Sequence, residues 1–168
     1  MPKRKVLIPL DGSDYSKQII AQLRKFLAPD AHELVLLRVS EPPKGLTRTS
    51  RPTPSDLLAT TEYQSESDMD IALHPIYQSQ KMEAAIAALT EEMLPDRQLL
   101  EGDGYAVGAE VRFGHAAHEI LGYASEAAID LIAMTTHGRT GLERLVAGSV
   151  ASDVLHEATV PVLLYRPT

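Results

Sequence analysis

Short apolar runs alternate with stretches of helical period along most of this chain, and that alternation restricts the fold more than any other feature. Val6-Leu7-Ile8-Pro9-Leu10 is the first run, continuous as in a strand covered on both faces, and Asp11-Gly12-Ser13 ends it in a turn. Ile19, Leu23, Phe26 and Leu27 then recur at helical spacing, with Ser13 placed to cap the first turn and Pro29 bounding the helix. Residues 34–39, broken only by Arg38, read as a second strand. Met82, Ile86, Leu89 and Met93 fall at i, i+4, i+7 and i+11, which predicts a helix that Pro95 ends or kinks. Residues 105–113 alternate as in a strand with one face less covered, nearer an edge. Ala117, Ile120, Leu121, Ala124 and Ala128 mark a third helix, and residues 129–134 a fourth strand interrupted by Asp130. Val150, Val154 and Leu155 mark a fourth helix capped by Ser149, and residues 160–165 a fifth strand.

Strands separated by helices pair in parallel through right-handed crossovers, with helices on both faces. The expected class is therefore α/β: a doubly wound, five-stranded parallel sheet. At 168 residues, 44% of them hydrophobic, residues 1–168 suffice for a single domain with one core. Residues 41–75 depart from the pattern, with Pro42, Pro43, Pro52 and Pro54 and six carboxylates against three basic residues, and are expected to form a flexible insertion or lid.

Composition narrows the function. The net charge of −7, with no basic block beyond Lys3-Arg4-Lys5, supplies no field that gathers nucleic acid or anionic lipid. Six Tyr, two Phe and no Trp offer little stacking surface for single-stranded bases. The lack of cysteine removes disulfides, thiol catalysis and cysteine-ligated metals. The run at 6–10 is too short for a signal core, and no run approaches a membrane span, so a soluble cytoplasmic protein without nucleic-acid or membrane partners is expected.

Ligands of doubly wound sheets bind beyond the carboxyl ends of the strands, where the strand order reverses, which directs attention to the loops after strands one and four. The second holds Gly138-x9-Gly148-Ser149 before a helix whose first amides are unpaired, a ready phosphate site to which Arg139 could add charge. The plainer reading is that these residues only build a loop and start a helix. Asp11 has a plain reading too, as a turn former beside a helix start. His115, His118 and Glu119 lack the convergence of a zinc site and read as helix-start residues, and Gly102-x-Gly104-x3-Gly108 precedes a strand instead of following one. His137 could orient the loop after strand four. Neither a Gly-x4-Gly-Lys-(Ser/Thr) phosphate loop nor a Gly-x-Ser-x-Gly elbow occurs.

Met134-Thr-Thr-His-Gly-Arg-Thr-Gly-Leu142, then Leu145-Val-Ala-Gly-Ser-Val150, then Val160-Pro-Val162, together with Val6-Leu-Ile-Pro-Leu-Asp-Gly-Ser13 and Val39, resemble the universal stress protein family. The resemblance spans nearly all of the chain outside 41–75. It implies a Rossmann-like or flavodoxin-like single domain with strand order 3-2-1-4-5, a dimer, and membership of the branch that binds ATP, with Mg, through Gly-x2-Gly-x9-Gly-(Ser/Thr). Gly138, Gly148 and Ser149 match that pattern, while Thr135 stands at its first glycine. It further implies that Asp11 accepts hydrogen bonds from adenine or ribose, that Pro9 and Val39 line the base, and that Gly12, Ser13, Met134, His137, Arg139 and Val150 belong to the same site. No catalytic residue or metal ligand is assigned. The implied function is a nucleotide-sensing stress-response module. The alternatives are a nucleotide-independent dimeric interaction module, which Thr135 favours, and a slow adenine-nucleotide hydrolase, suggested by Asp11-Gly-Ser-Asp14. Pro161 cannot donate to a strand ladder, and the apolar residues around it would leave an edge exposed, so a homodimer through strand 160–165 is expected. The sequence names no protein partner.

Overall fold

The computed structural model describes residues 2–43, 75–136 and 148–167. Among them run β1 (Arg4–Leu10), α1 (Asp14–Phe26), β2 (His32–Ser40), α2 (Pro75–Gly102), β3 (Ala106–Phe113), α3 (Ala116–Glu126), β4 (Leu131–Thr135), α4 (Ser149–Glu157) and β5 (Val162–Tyr165). The five strands form one sheet in the order β3-β2-β1-β4-β5, with every pairing parallel. The expected class and strand order are thus observed. By its contacts the chain divides into two compact units, Met1–Glu41 with Leu89–Thr168, and Pro42–Ala88. Most of the expected insertion at 41–75 lies outside the described residues.

Period-two alternation sends successive strand residues to opposite faces, and each face has its own core. Val6, Ile8 and Leu10 of β1 and Leu34 and Leu36 of β2 pack with Ile19, Ile20 and Leu23 of α1 and with Met93 and Leu100 of α2. On the other face Leu7, Val35, Leu37, Ile132 and Met134 pack with Ala117, Ile120 and Ala124 of α3 and with Ala151 and Val154 of α4. A sheet covered on both faces explains why the central strands read as continuous apolar runs. Among the described residues, no helix is long and apolar enough to cross a membrane.

Four local expectations need correction. Of the two outcomes expected at Pro95, an end or a kink, the end does not occur: α2 runs on to Gly102, although a proline inside a helix removes one backbone bond. Buried Met93 and Leu100 anchor it on both sides of the proline, and Asp96 pairs with Lys17 of α1 at 3.3 Å. Ile86 of the proposed stripe stays 40% exposed. Phe26, placed on the buried face of α1, is 76% exposed, because the chain turns to extended backbone at Leu27, which packs on the core in its place. The fourth strand starts at Leu131, two residues late, since the Asp130 carboxylate accepts from the Lys5 amide and bends the chain there. The fifth strand likewise starts after Pro161, whose carbonyl accepts from the Ile132 amide at 3.0 Å.

The two sheet edges differ. At β3, Arg112 binds Glu126 at 2.8 Å, lies 3.6 Å from Glu110 and stacks over the Tyr123 ring at 5.1 Å. Charged residues of this kind discourage edge-to-edge pairing. β5 carries only Val-Leu-Leu-Tyr.

Candidate functional site

Strand β1 pairs with β2 along its whole length, from Arg4 opposite His32 to Leu10 opposite Arg38. With β4 it pairs only where Val6 and Leu7 face Leu131 and Ile132. The carboxyl ends of β1 and β4 therefore part, at the point where the chain order reverses, and a cavity of about 260 Å3 opens between them on the α3 and α4 side.

Its floor is apolar: Leu37 and Val39 of β2, Ala116 and Ile120 of α3, and Met134 of β4. Pro9, Leu10 and Asp11 come from the end of β1, Ser16 from α1, Thr135 and Thr136 from the end of β4, and Gly148, Ser149, Val150 and Ala151 from the start of α4. Asp11 is the one ionisable side chain among the described residues of the lining. Such a site suits a flat, largely apolar ring held by a few polar groups.

Asp11 is fixed by its own turn. The Ser13 amide and hydroxyl both donate to Asp11 Oδ1, at 2.9 and 2.6 Å, and Ser13 Oγ accepts from the Ser16 amide at 3.1 Å. One hydroxyl thus caps α1 and orients the carboxylate, using its donor one way and a lone pair the other. Ser16 Oγ returns a bond to the Ser13 carbonyl at 2.9 Å.

The start of α4 is built otherwise. Its cap is Gly148 and not Ser149, which is the first helical residue, and the cap supplies no side-chain hydrogen bond to the first turn. The reason lies in the entry of the chain: the Gly148 amide donates to the Thr136 carbonyl, and a Cβ on residue 148 would lie 3.1 Å from that oxygen. Glycine allows the approach, and Ser149, Val150 and Ala151 of the first turn that follows line the cavity at the positive end of a helix dipole.

Eight of the expected site residues thus line one cavity: Pro9, Asp11, Val39, Met134, Thr135, Gly148, Ser149 and Val150. Gly12 and Ser13 shape the turn beneath it. His137, Gly138 and Arg139 lie outside the described residues. Leu10, Ser16, Leu37, Ala116, Ile120, Thr136 and Ala151 were not anticipated as lining. Leu37 sits two residues before Val39 on one strand face and Ser16 one turn beyond Ser13, so both were within reach of the pattern. Ala116 and Ile120 look like any apolar helix residues and carry no such signal. Among the described residues no three His, Asp or Glu side chains come together to hold a metal, and His118, 84% exposed, meets only Glu119 at 3.5 Å. The groups with displaced pKa values lie elsewhere: burial raises the phenols of Tyr105 and Tyr123, and the hydrogen bond to Glu126 raises Arg112.

A parallel sheet of this order, with a carboxylate turn and a glycine-capped helix start meeting at its switch point, defines a Rossmann-like α/β domain. The chain matches the Universal stress protein family over residues 3–166 and belongs to it. It is 28% identical to universal stress protein YxiE of Bacillus subtilis, covering 96% of this chain and 98% of that one. It is 38% identical to Slr1230 of Synechocystis over 69 residues, which span 41% of this chain and 24% of that protein, and its match to MJ0531 of Methanocaldococcus jannaschii spans 41% of that protein's length. Among solved structures, MJ0577 superposes with a TM-score of 0.69 at 21% identity, over 100% of this chain and 99% of that one. A universal stress protein in complex with cAMP gives 0.54 at 15% identity over the full length of both chains. An Arabidopsis thaliana family member with AMP bound gives 0.53 at 14%, over 98% and 92%.

Proposed function

We propose that this chain is a cytoplasmic, non-catalytic stress-response module that binds ATP with Mg2+ in the cavity between β1 and β4 and works as a homodimer. The observation that carries the reading is the convergence of the Asp11 turn and the Gly148 helix start on a single cavity. Adenine would lie on Pro9, Val39 and Met134, Asp11 would accept from base or ribose, and the amides of Ser149 and Val150 would take phosphate oxygens. His137, Gly138 and Arg139 would complete the phosphate loop, as the resemblance implies. The relatives solved with cAMP and AMP point to the same ligand class. One carboxylate in the described lining cannot cage a cation, which suits Mg2+ held chiefly by phosphates and water.

Nucleotide-free protein should gain thermal stability with ATP, by about 2.7 kcal/mol at about 100 times Kd. No shift at millimolar ATP would end this reading. It would favour a nucleotide-independent interaction module instead, for which the observation is Thr135, 7% exposed at the cavity wall where the family pattern has glycine. Mass spectrometry of ligand released from the purified protein separates the two.

The homodimer reading rests on β5, an edge strand without the charges of β3 and with Leu163 38% exposed. Val162 and Leu164 pack on the protein's own core, so Leu163 is the residue to change. Leu163→Lys should yield a folded monomer by sedimentation. An unmodified protein that is monomeric at tens of micromolar would refute pairing through 160–165.

A further inference from the structure

Arg38 interrupts the apolar run from Leu34 to Val39 of β2 and is only 5% exposed, an unusual place for a cation. It follows Leu34 and Leu36 on the face of β2 packed by α1 and α2, opposite to the face from which Leu37 and Val39 line the cavity. A ligand in the cavity would therefore meet the far side of the sheet from it. Its contacts nevertheless converge on the turn that carries Asp11. Nη1 donates to the Leu10 carbonyl at 3.2 Å, on one side of Asp11. On the other side Gly12 adopts φ +82°, and a Cβ there would lie 2.9 Å from Nη2 and 3.2 Å from Cζ. The guanidinium thus fills the space that a side chain at residue 12 would take. Nη2 also lies 3.5 Å from Glu92 Oε2 on α2.

We propose that Arg38 is a positioning residue for the cavity: its guanidinium braces Leu10 and Gly12 from behind the sheet, and so sets the direction in which Asp11 meets a nucleoside. Ser13 holds the carboxylate from the front and Arg38 holds its backbone from the rear. The geometry asks for arginine in particular, because a planar fork reaches a carbonyl and a carboxylate together, which a single ammonium point charge does not. It also asks for glycine at 12, on grounds of φ and of space.

The proposal rests on reading the cavity as a nucleoside site, and its test keeps the two apart. In Arg38→Met the amide resonances of Gly12 and Ser13 should move in ligand-free protein while those of Ser149 and Val150 stay. Affinity for adenosine and for ATP should fall together, by about tenfold. Arg38→Lys should restore the melting temperature more than the affinity, a separation that a merely structural residue would not give. Gly12→Ala should move the same resonances, and the double variant should lose no more affinity than the worse single one, since both remove one brace. Should Arg38→Met fail to fold, Arg38→Lys and Gly12→Ala decide by the same readings. Unmoved Gly12 and Ser13 resonances, or additive losses in the double variant, would overturn the proposal. If the unmodified protein bound no adenosine or ATP, the nucleotide reading would fall while the ligand-free resonances still decided whether Arg38 braces the turn.

Discussion

The helix starts of α1 and α4 meet at the same cavity and are finished in opposite ways. At α1 every local device is used: Ser13 caps through Oγ, Asp11 orients Ser13, Ser16 bonds back to the Ser13 carbonyl, and Arg38 reaches the Leu10 carbonyl. At α4 a glycine stands at the cap, and among the described residues no side chain bonds to the first amides. Helix starts normally meet this need with a side-chain oxygen. Closing one and leaving the neighbouring one open places a fixed carboxylate on one wall of the cavity and, under the proposed function, an anion receptor on the other. The difference teaches that two helix starts on one cavity can be finished for different ends, and the proposed nucleotide site makes the open one the binding end.

Breaking the open start should have the largest effect. In Gly148→Val a branched side chain must fit where even a Cβ would stand 3.1 Å from the Thr136 carbonyl. The amide array would be displaced, and ATP affinity should fall by about a hundredfold or more, on the scale of several lost charge-assisted bonds. Titration calorimetry checks this. An unchanged Kd would mean that the start of α4 is no part of the site.

Breaking the closed start should cost less and cost differently. Asp11→Ala removes the acceptor of two Ser13 bonds together with the proposed contact to base or ribose. Adenosine and ATP should weaken alike, by about tenfold, with a stability loss of about 1 kcal/mol from the slackened turn. If ATP weakened while adenosine did not, Asp11 would have to act near the phosphates.

How far the chain's letters reveal this arrangement depends on the distance over which each feature is decided. Asp11, Gly148 and the strand order were legible, because short patterns within one β-α unit, carried across the chain by the family likeness, determine them. The true cap of α4 was missed by one residue: Gly148 and Ser149 are both good caps by propensity, and the choice is made by the Gly148 amide meeting Thr136, across a connection whose path local preference does not give. Arg38 read as a mere interruption of β2, since its meaning lies in a carbonyl 28 residues away and a glycine that only the parallel register brings beneath it. Pro95 left an end and a kink both open, and the end did not occur. The local rule is sound, but burial of Met93 and Leu100 carries the helix past it. Apolar core burial overrides local preference of this size.

The smallest effects sharpen the comparison most, because they set two serines of like chemistry side by side. Ser13 is a true cap whose hydroxyl accepts from the Ser16 amide, so Ser13→Ala should cost about 1 kcal/mol in chemical denaturation. Ser149 is exposed and makes no cap bond, and alanine is the better helix former, so Ser149→Ala should change stability by less than about 0.5 kcal/mol. The order should reverse for ligand: Ser149 lines the cavity at the anion-facing turn, whereas Ser13 reaches the ligand only through Asp11. Ser149→Ala should therefore weaken ATP more than adenosine, by a few-fold, and Ser13→Ala should treat the two alike. Equal stability losses for both serines would show that α4 is capped from Ser149 after all, and the contrast between a closed and an open helix start would then disappear.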